Sequence, residues 1–216
     1  MSFFTPVLDL LFPPKCVFCG RILHSKEDYW CEKCVESLPF TLDCGRQDGV
    51  CYDFCISPLH YRGVVRRSIL RYKFRGASGY ADAYGKMLAQ CIREYPGAKY
   101  DMISWVPLSS KRKRTRGYDQ AMLLALATAL ELNDVAAETL VKRQDVRAQS
   151  ELGGAAERRE NISGAYEAAD PELVGGKCVL LIDDIITTGS TLDECASVLL
   201  KAGADRVVCA ALAKGE

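Results

Sequence analysis

The chain has 216 residues, 49% of them hydrophobic and 26% charged, with 28 basic side chains balanced by 28 acidic ones. That composition excludes a wholly disordered chain and suits one domain of ordinary size with a small appendage. The zero net charge hides a segregation: residues 60–116 carry 14 basic and 3 acidic side chains, whereas residues 117–216 carry 9 and 17. A cationic block in a neutral chain points to an anionic partner there, whether phosphate, diphosphate or a nucleic-acid backbone.

The apolar first fourteen residues hold no Lys or Arg and are interrupted by Pro6 and Asp9, so they make a poor secretory signal. The longest apolar run, near Ala121–Leu130, is far short of a bilayer span. A soluble, cytoplasmic protein without membrane insertion is expected. Seven of the eleven cysteines fall in the first 55 residues. Cys16 and Cys19 form one CxxC knuckle and Cys31 and Cys34 a second, eleven residues later. Four thiolates at that spacing can close tetrahedrally on one structural Zn2+. This segment has too few aliphatic side chains to fold on its own core, and metal ligation supplies the missing free energy. Cys44, Cys51 and Cys55 read as the remains of a second site. Thr41 stands where a partner of Cys44 belongs, and a fourth ligand is open among Asp43, Asp53 and His60. His24 and His60 otherwise read as ordinary polar residues. The cysteine-dense stretch ends near Ser57-Pro58, which divides the chain into a module of residues 1–57 and a domain of residues 58–216.

From Gly63 the spacing turns helical, with Val64, Val65, Ile69 and Tyr72 on one face and Arg62, Arg66, Arg67, Arg71 and Arg75 mostly elsewhere. A second helix fits Tyr80–Tyr95, stopped by Pro96-Gly97. Asp101–Val106 reads as a strand, Lys111–Gly117 as a basic loop, Asp119–Leu132 as a long apolar helix and Thr139–Lys142 as a short strand. Ala155–Asn161 reads as a charged helical turn and Gly164–Glu167 as an extended piece. Cys178–Ile182 is a continuous apolar run, expected of a parallel strand buried on both faces. A polar loop over Asp183–Thr191, a helix over Leu192–Ala202 and a strand over Arg206–Ala213 complete a βαβ unit. The alternation predicts an open, mostly parallel α/β sheet flanked by helices.

In such sheets ligands bind beyond the carboxyl ends of the strands. Thr187, Thr188, Ser190 and Thr191 place four hydroxyls there, with Gly189 among them, just before a helix N-terminus. Free backbone N–H groups and the helix dipole favour a phosphate at that point, and Gly189 lets the backbone approach it. Asp183 and Asp184 cannot hold phosphate, but they can accept from a ribose diol or hold Mg2+. A phosphate pocket beside a diol pocket describes a ribose 5-phosphate. A simple N-cap explains one or two of these residues, not the whole set. A Walker B strand needs a GxxxxGK[ST] partner, and the chain contains no such string.

The segment from Val179 to Leu192 closely resembles the signature of type I phosphoribosyltransferases, which bind phosphoribosyl diphosphate (PRPP). More of the chain resembles the ComF branch of that superfamily. The likeness runs through the cysteine knuckles, Tyr61 and Gly63, Ile69 with Tyr72-Lys73-Phe74, Val106-Pro107-Leu108, and Arg116-Gly117-Tyr118-Asp119-Gln120-Ala121. Gln149, Leu152, Arg158, Asn161 and Gly164 complete it. The resemblance implies a type I phosphoribosyltransferase fold carrying a small N-terminal Cys-rich zinc-binding module. It implies that Asp183 and Asp184 contact the ribose hydroxyls while Thr187, Thr188, Gly189, Ser190 and Thr191 hold the 5-phosphate. Pro107, Leu108, Ser109 and Ser110 become the diphosphate loop, followed by a mobile cationic loop of Lys111, Arg112, Lys113, Arg114 and Arg116. Five cations in six residues suit a diphosphate that gains charge as it leaves. Lys73 and Arg158 are further candidates.

Thr187 occupies the slot that carries an aspartate base in several purine-salvage members, which disfavours a hypoxanthine or guanine acceptor. The Met-Ser start lacks the cysteine nucleophile of glutamine-using amidotransferases. Two functions follow from the resemblance. One is PRPP binding with Mg2+ in the service of natural competence, with single-stranded DNA and a competence helicase as partners. The other is transfer of phosphoribose from PRPP to an unidentified nucleophile. Residues 60–75 interleave cations with Tyr61, Tyr72 and Phe74 in the manner of a single-strand groove, although helical spacing assigns Tyr72 to the core.

Overall fold

A computed structural model describes residues 13–25, 29–143 and 164–215. Five strands form one parallel sheet: β1 (Cys55–Ile56), β2 (Leu59–His60), β3 (Met102–Trp105), β6 (Cys178–Ile186) and β7 (Arg206–Lys214). β6 lies between β3 and β7, with Leu180 opposite both Ile103 and Val208. β1 and β2 follow one another along the far edge of β7, at Cys209–Ala210 and Ala213–Lys214. The chain thus crosses residue 57 between two strands laid on the same neighbour. β4 (Leu140–Lys142) and β5 (Tyr166–Ala168) form a separate antiparallel pair.

Alternation along the central strands explains their unbroken apolar runs. Leu180, Ile182, Val208, Ala210 and Leu212 face a core built with α2 (Gly63–Phe74), α3 (Tyr80–Glu94) and α5 (Gln120–Leu132). Val179, Leu181, Val207, Cys209 and Ala211 face a second core closed by α7 (Ser190–Lys201). Each fully buried Leu or Ile contributes about 1.5–3 kcal/mol. Helix α2 buries Val65, Ile69 and Tyr72 of the expected stripe and Ser68 besides, while Val64 of that stripe stays half-exposed. Helices α3 and α5 meet so closely at Gly85 that a Cβ there would lie 2.6 Å from the Ala127 methyl.

Three expectations are corrected. The basic stretch is not a loop but helix α4 (Ser110–Arg116). Ser109 caps it by accepting from the Arg112 N–H, straight-chain Lys and Arg propagate it, and Gly117 at φ +82° ends it. Strand β6 does not stop at Ile182 but pairs with β7 as far as Ile186, because Asp184 and Ile186 remain buried. The following helix starts at Ser190 rather than Leu192, its first turn directly after the left-handed Gly189. The expected turn Ala155–Asn161, with Gln149, Leu152, Arg158 and Asn161, lies outside the described residues. Among the described residues no helix is long and apolar enough to cross a membrane.

The cysteine module is welded to the domain. Val17, Phe18, Leu23, Cys34 and Leu38 join the core beneath α2 and α3. The Arg71 guanidinium donates to the Val17 and Phe18 carbonyls, each at 2.8 Å, and the Ser68 hydroxyl also donates to Val17. These carbonyls belong to the first cysteine knuckle, so α2 is fixed directly to that turn.

Candidate functional site

At the end of β6 successive side chains point to opposite faces. Asp184 turns towards α2, where its Oδ1 meets Lys73 Nζ at 2.7 Å, and both side chains are largely buried. Its Oδ2 is buried and has no hydrogen-bond partner. Asp183 faces the other way and accepts the Asp184 N–H at 2.8 Å. Burial first, and repulsion from Asp184 second, push the Asp183 carboxyl up to about 8. The two acids are therefore not equivalent: one is ion-paired and the other is held well above the usual carboxylate range.

Beyond them Asp183, Ile186, Thr187, Thr188, Gly189, Ser190 and Thr191 line a hollow of about 40 Å3. That is room for a few waters. Gly189 takes φ +80° and leads into α7, twelve residues long, whose first N–H groups have no acceptor within the helix; that of Ser190 donates to Thr188 Oγ1 at 3.4 Å. The Thr188 and Ser190 hydroxyls are 2.9 Å apart.

The expected diphosphate loop lies beside this end. Its anchor is Asp119, which is 3% exposed. Asp119 Oδ2 accepts the Leu108 N–H at 2.9 Å and Oδ1 accepts the Met122 N–H at 3.2 Å, capping α5 and fixing the loop at once. Of the α4 cations, Lys111, Arg112, Lys113 and Arg114 are exposed and Arg116 turns inward. Arg116 lies over the Phe74 ring, 4.7 Å from its centroid, and its Nη1 is buried without a partner. Its burial lowers its pKa, against an opposing pull from Asp184. Lys73, Arg116 and Asp184 thus converge from three elements, leaving one cationic and one anionic atom unpartnered. Arg158 lies outside the described residues.

The four knuckle cysteines come together as their spacing demands: the Sγ atoms of Cys16, Cys19, Cys31 and Cys34 all lie within 4.8 Å of one another. Burial raises the Cys16 thiol, but N–H donors of Cys19, Cys31 and Phe18 outweigh it and hold its pKa at about 7. Cys44, Cys51 and Cys55 do not assemble a second such cluster. Cys44 turns to Cys91, its Sγ 3.9 Å from that carbonyl. Cys55 is buried in β1, where burial holds its thiol protonated. Neither histidine joins the four-cysteine cluster.

Comparison with known proteins agrees with this architecture. The family described as a phosphoribosyl transferase domain matches residues 110–216, and the double zinc ribbon domain matches residues 7–56. The DNA utilization protein YhgH of Salmonella typhimurium is 30% identical over 89% of this chain and 86% of its own length. The chain belongs to the ComF family. Competence protein F of Haemophilus influenzae is 27% identical to this ComF chain, covering 93% of it and 96% of the relative. Competence protein ComFC of Bacillus subtilis is also 27% identical, over 66% of this chain and 56% of its own. Among solved structures, the B. subtilis glutamine PRPP amidotransferase aligns with a TM-score of 0.42 and 26% identity over 61% of this chain. The ComF chain spans about a quarter of that enzyme's length, 26%. The fold is that of a phosphoribosyltransferase domain, and the four-cysteine cluster is the structural zinc site of its ribbon.

Sequence reasoning names the four cysteines that cluster and residues 187–191, which line the hollow together with Ile185, Ile186 and Leu192. It missed Asp119 as the anchor of the Pro107–Leu108 turn, although an Asp just before an apolar helix is a visible N-cap signal. It also missed Gln47, Tyr52 and Asp193, which meet only through contacts spanning some 140 residues. No local pattern carries those.

Proposed function

We propose that this ComF chain binds PRPP together with Mg2+ and serves the handling of incoming single-stranded DNA in natural competence. The observation that carries the reading is the pair of unpartnered buried atoms, Asp184 Oδ2 and Arg116 Nη1, with the hydroxyl-rich loop 187–191 following directly on the strand that bears Asp184. A ribose diol gives the carboxylate oxygen a donor, and a diphosphate gives the guanidinium an acceptor. The loop amides and hydroxyls take the 5-phosphate at the head of α7. Lys73 holds Asp184 in place, and Asp119 holds the Pro107–Leu108 turn. The oxygen donors at the strand end fit Mg2+, which when bound neutralises diphosphate charge. Relatives named for competence and DNA utilization supply the cellular setting.

Arg66 and Arg67 on α2, and Arg75 just past its end, are exposed, whereas Arg71 is committed to the ribbon and Lys73 to Asp184. Tyr72 is fully buried, so its ring packs in the core. The nucleic-acid surface we assign is therefore Arg66, Arg67 and Arg75 with the outer cations of α4.

Calorimetric titration of PRPP with and without Mg2+ tests the reading. Asp184→Asn removes a charge-assisted acceptor worth about 1.5–3 kcal/mol, so affinity falls roughly tenfold to a hundredfold. Absence of binding to the wild type overturns it. In parallel, affinity for an oligodeoxynucleotide should fall steeply with salt, and Arg66→Glu/Arg67→Glu should flatten that slope.

A further inference from the structure

The half of the ribbon that lacks a metal cluster lies against the phosphate loop. The Val50 and Cys51 N–H groups donate to Asp193 Oδ1 in the first turn of α7, at 2.7 and 2.8 Å. Gln47 Nε2 donates to the Thr187 carbonyl at 3.2 Å. Asp53 pairs with Arg206 on β7, and Lys214 Nζ reaches the Arg46 carbonyl at 3.5 Å. Tyr52 is 2% exposed, and its hydroxyl sits where a side chain at position 189 would begin. A Cβ on Gly189 would lie 2.3 Å from Tyr52 Oη, whereas the next atoms, Tyr52 Cζ and Gln47 Nε2, are 3.4 and 3.5 Å away. The ring is held from its other side by Gly49, where a Cβ would lie 2.5 Å from it.

From this geometry we infer that residues 47–52 form the back wall of the phosphate loop, with Tyr52 and Gln47 as positioning residues that set its amides before a ligand arrives. The inference rests on the reading of residues 187–191 as a sugar-phosphate loop. Tyr52 does not line the hollow, so it acts from behind rather than on the ligand. Burial, with the nearby Cys55, Cys209 and Asp193, raises the Tyr52 pKa far above its ordinary value, so the hydroxyl stays neutral beside the Gln47 amide. Gln47 ties the ribbon to the Thr187 carbonyl, and Asp193 ties the start of α7 to the ribbon backbone. The loop is gripped at both ends and filled in the middle. A loop fixed in its bound shape loses less conformational freedom when ligand binds, which appears as affinity. Gly189 is required twice over: by its left-handed backbone, and because Tyr52 occupies the space of any side chain. The ribbon therefore serves the sugar-phosphate site directly and is more than an appendage for other contacts.

The test is a double-mutant cycle on full-length, zinc-loaded protein, with ribose 5-phosphate as the probe in calorimetry. Tyr52→Phe alone should weaken binding about threefold, through loss of the polar contact behind the loop, with zinc content unchanged. Gly189→Ala should weaken it more than about tenfold, through the clash and the strained φ. In the Gly189→Ala/Tyr52→Phe double variant the closest approach becomes 3.4 Å, an ordinary contact. Binding should therefore be tighter than in Gly189→Ala alone by about threefold or more, so one substitution harms the wild type and helps the variant. A double variant no better than Gly189→Ala overturns the back-wall role while wild-type binding stands. Absence of ribose 5-phosphate binding in the wild type overturns the sugar-phosphate reading itself, and this inference with it.

Discussion

Lys73 and Asp184 form a charged pair with side-chain exposures of 17% and 6%, inside the domain and at the heart of the candidate site. Lys73→Met keeps the apolar stem and removes the charge, leaving Asp184 buried with neither oxygen partnered. Breaking one side of a fully buried pair costs about 3–5 kcal/mol. With Lys73 partly wetted, roughly 2–4 kcal/mol is expected. At about 2–4 °C per kcal/mol for a chain of this size, the melting midpoint should fall by roughly 5–15 °C without ligand. The Lys73→Met/Asp184→Asn double variant removes both charges and should recover most of that loss. A coupling energy of about 2 kcal/mol or more is then expected from urea melts of the four proteins. If the double variant loses the sum of the two single losses, the pair is not coupled in solution and the convergence of Lys73, Arg116 and Asp184 is refuted.

Three further expectations concern separate parts of the molecule. Gly85→Ala drives a methyl to 2.6 Å from Ala127 Cβ and 2.8 Å from the Thr128 nitrogen, and should cost about 1–3 kcal/mol in denaturant melts. An unchanged midpoint would show that α3 and α5 do not pack so closely. Metal analysis should find one zinc per chain, lost in Cys34→Ser but kept in Cys44→Ser, Cys51→Ser and Cys55→Ser; a second zinc lost in any of the latter contradicts the separation of those thiols. Asp183 has a folded pKa near 8 against about 4 in an unfolded chain, so the folded state holds the extra proton between those values. Its contribution should lower stability as pH rises from about 4 to about 8 and level off beyond. Asp183→Asn should remove that part of the slope, and an unaltered slope from pH 5 to 8 would contradict the raised pKa.

Local patterns announced most of this molecule because its chemistry is sequential. The CxxC knuckles, the apolar runs of β6 and β7 and the loop 187–191 each combine a short spacing with a residue type that has few other uses. What escaped notice depended on distance along the chain. Cationic repeats from Lys111 read as loop because charge suggests solvent, yet Ser109 and Gly117 had marked the two ends of a helix. The extra length of β6 past Ile182 came from pairing with β7, which no inspection of Asp183 and Asp184 alone reveals. Cys44, Cys51 and Cys55 looked like metal ligands by composition, but the fold sends the first to α3, ties the second through its backbone to Asp193 and buries the third in β1.

The central claim is that the amides of residues 188–191 receive the phosphate of a ribose phosphate. Backbone amide resonances of isotope-labelled protein, titrated with ribose 5-phosphate and separately with ribose, test it most directly. The expected result is saturable shifts of Thr188, Gly189, Ser190 and Thr191 with the phosphate ester and none with the free sugar. Shifts confined to the exposed cations of α4, with those four amides unmoved, would contradict it.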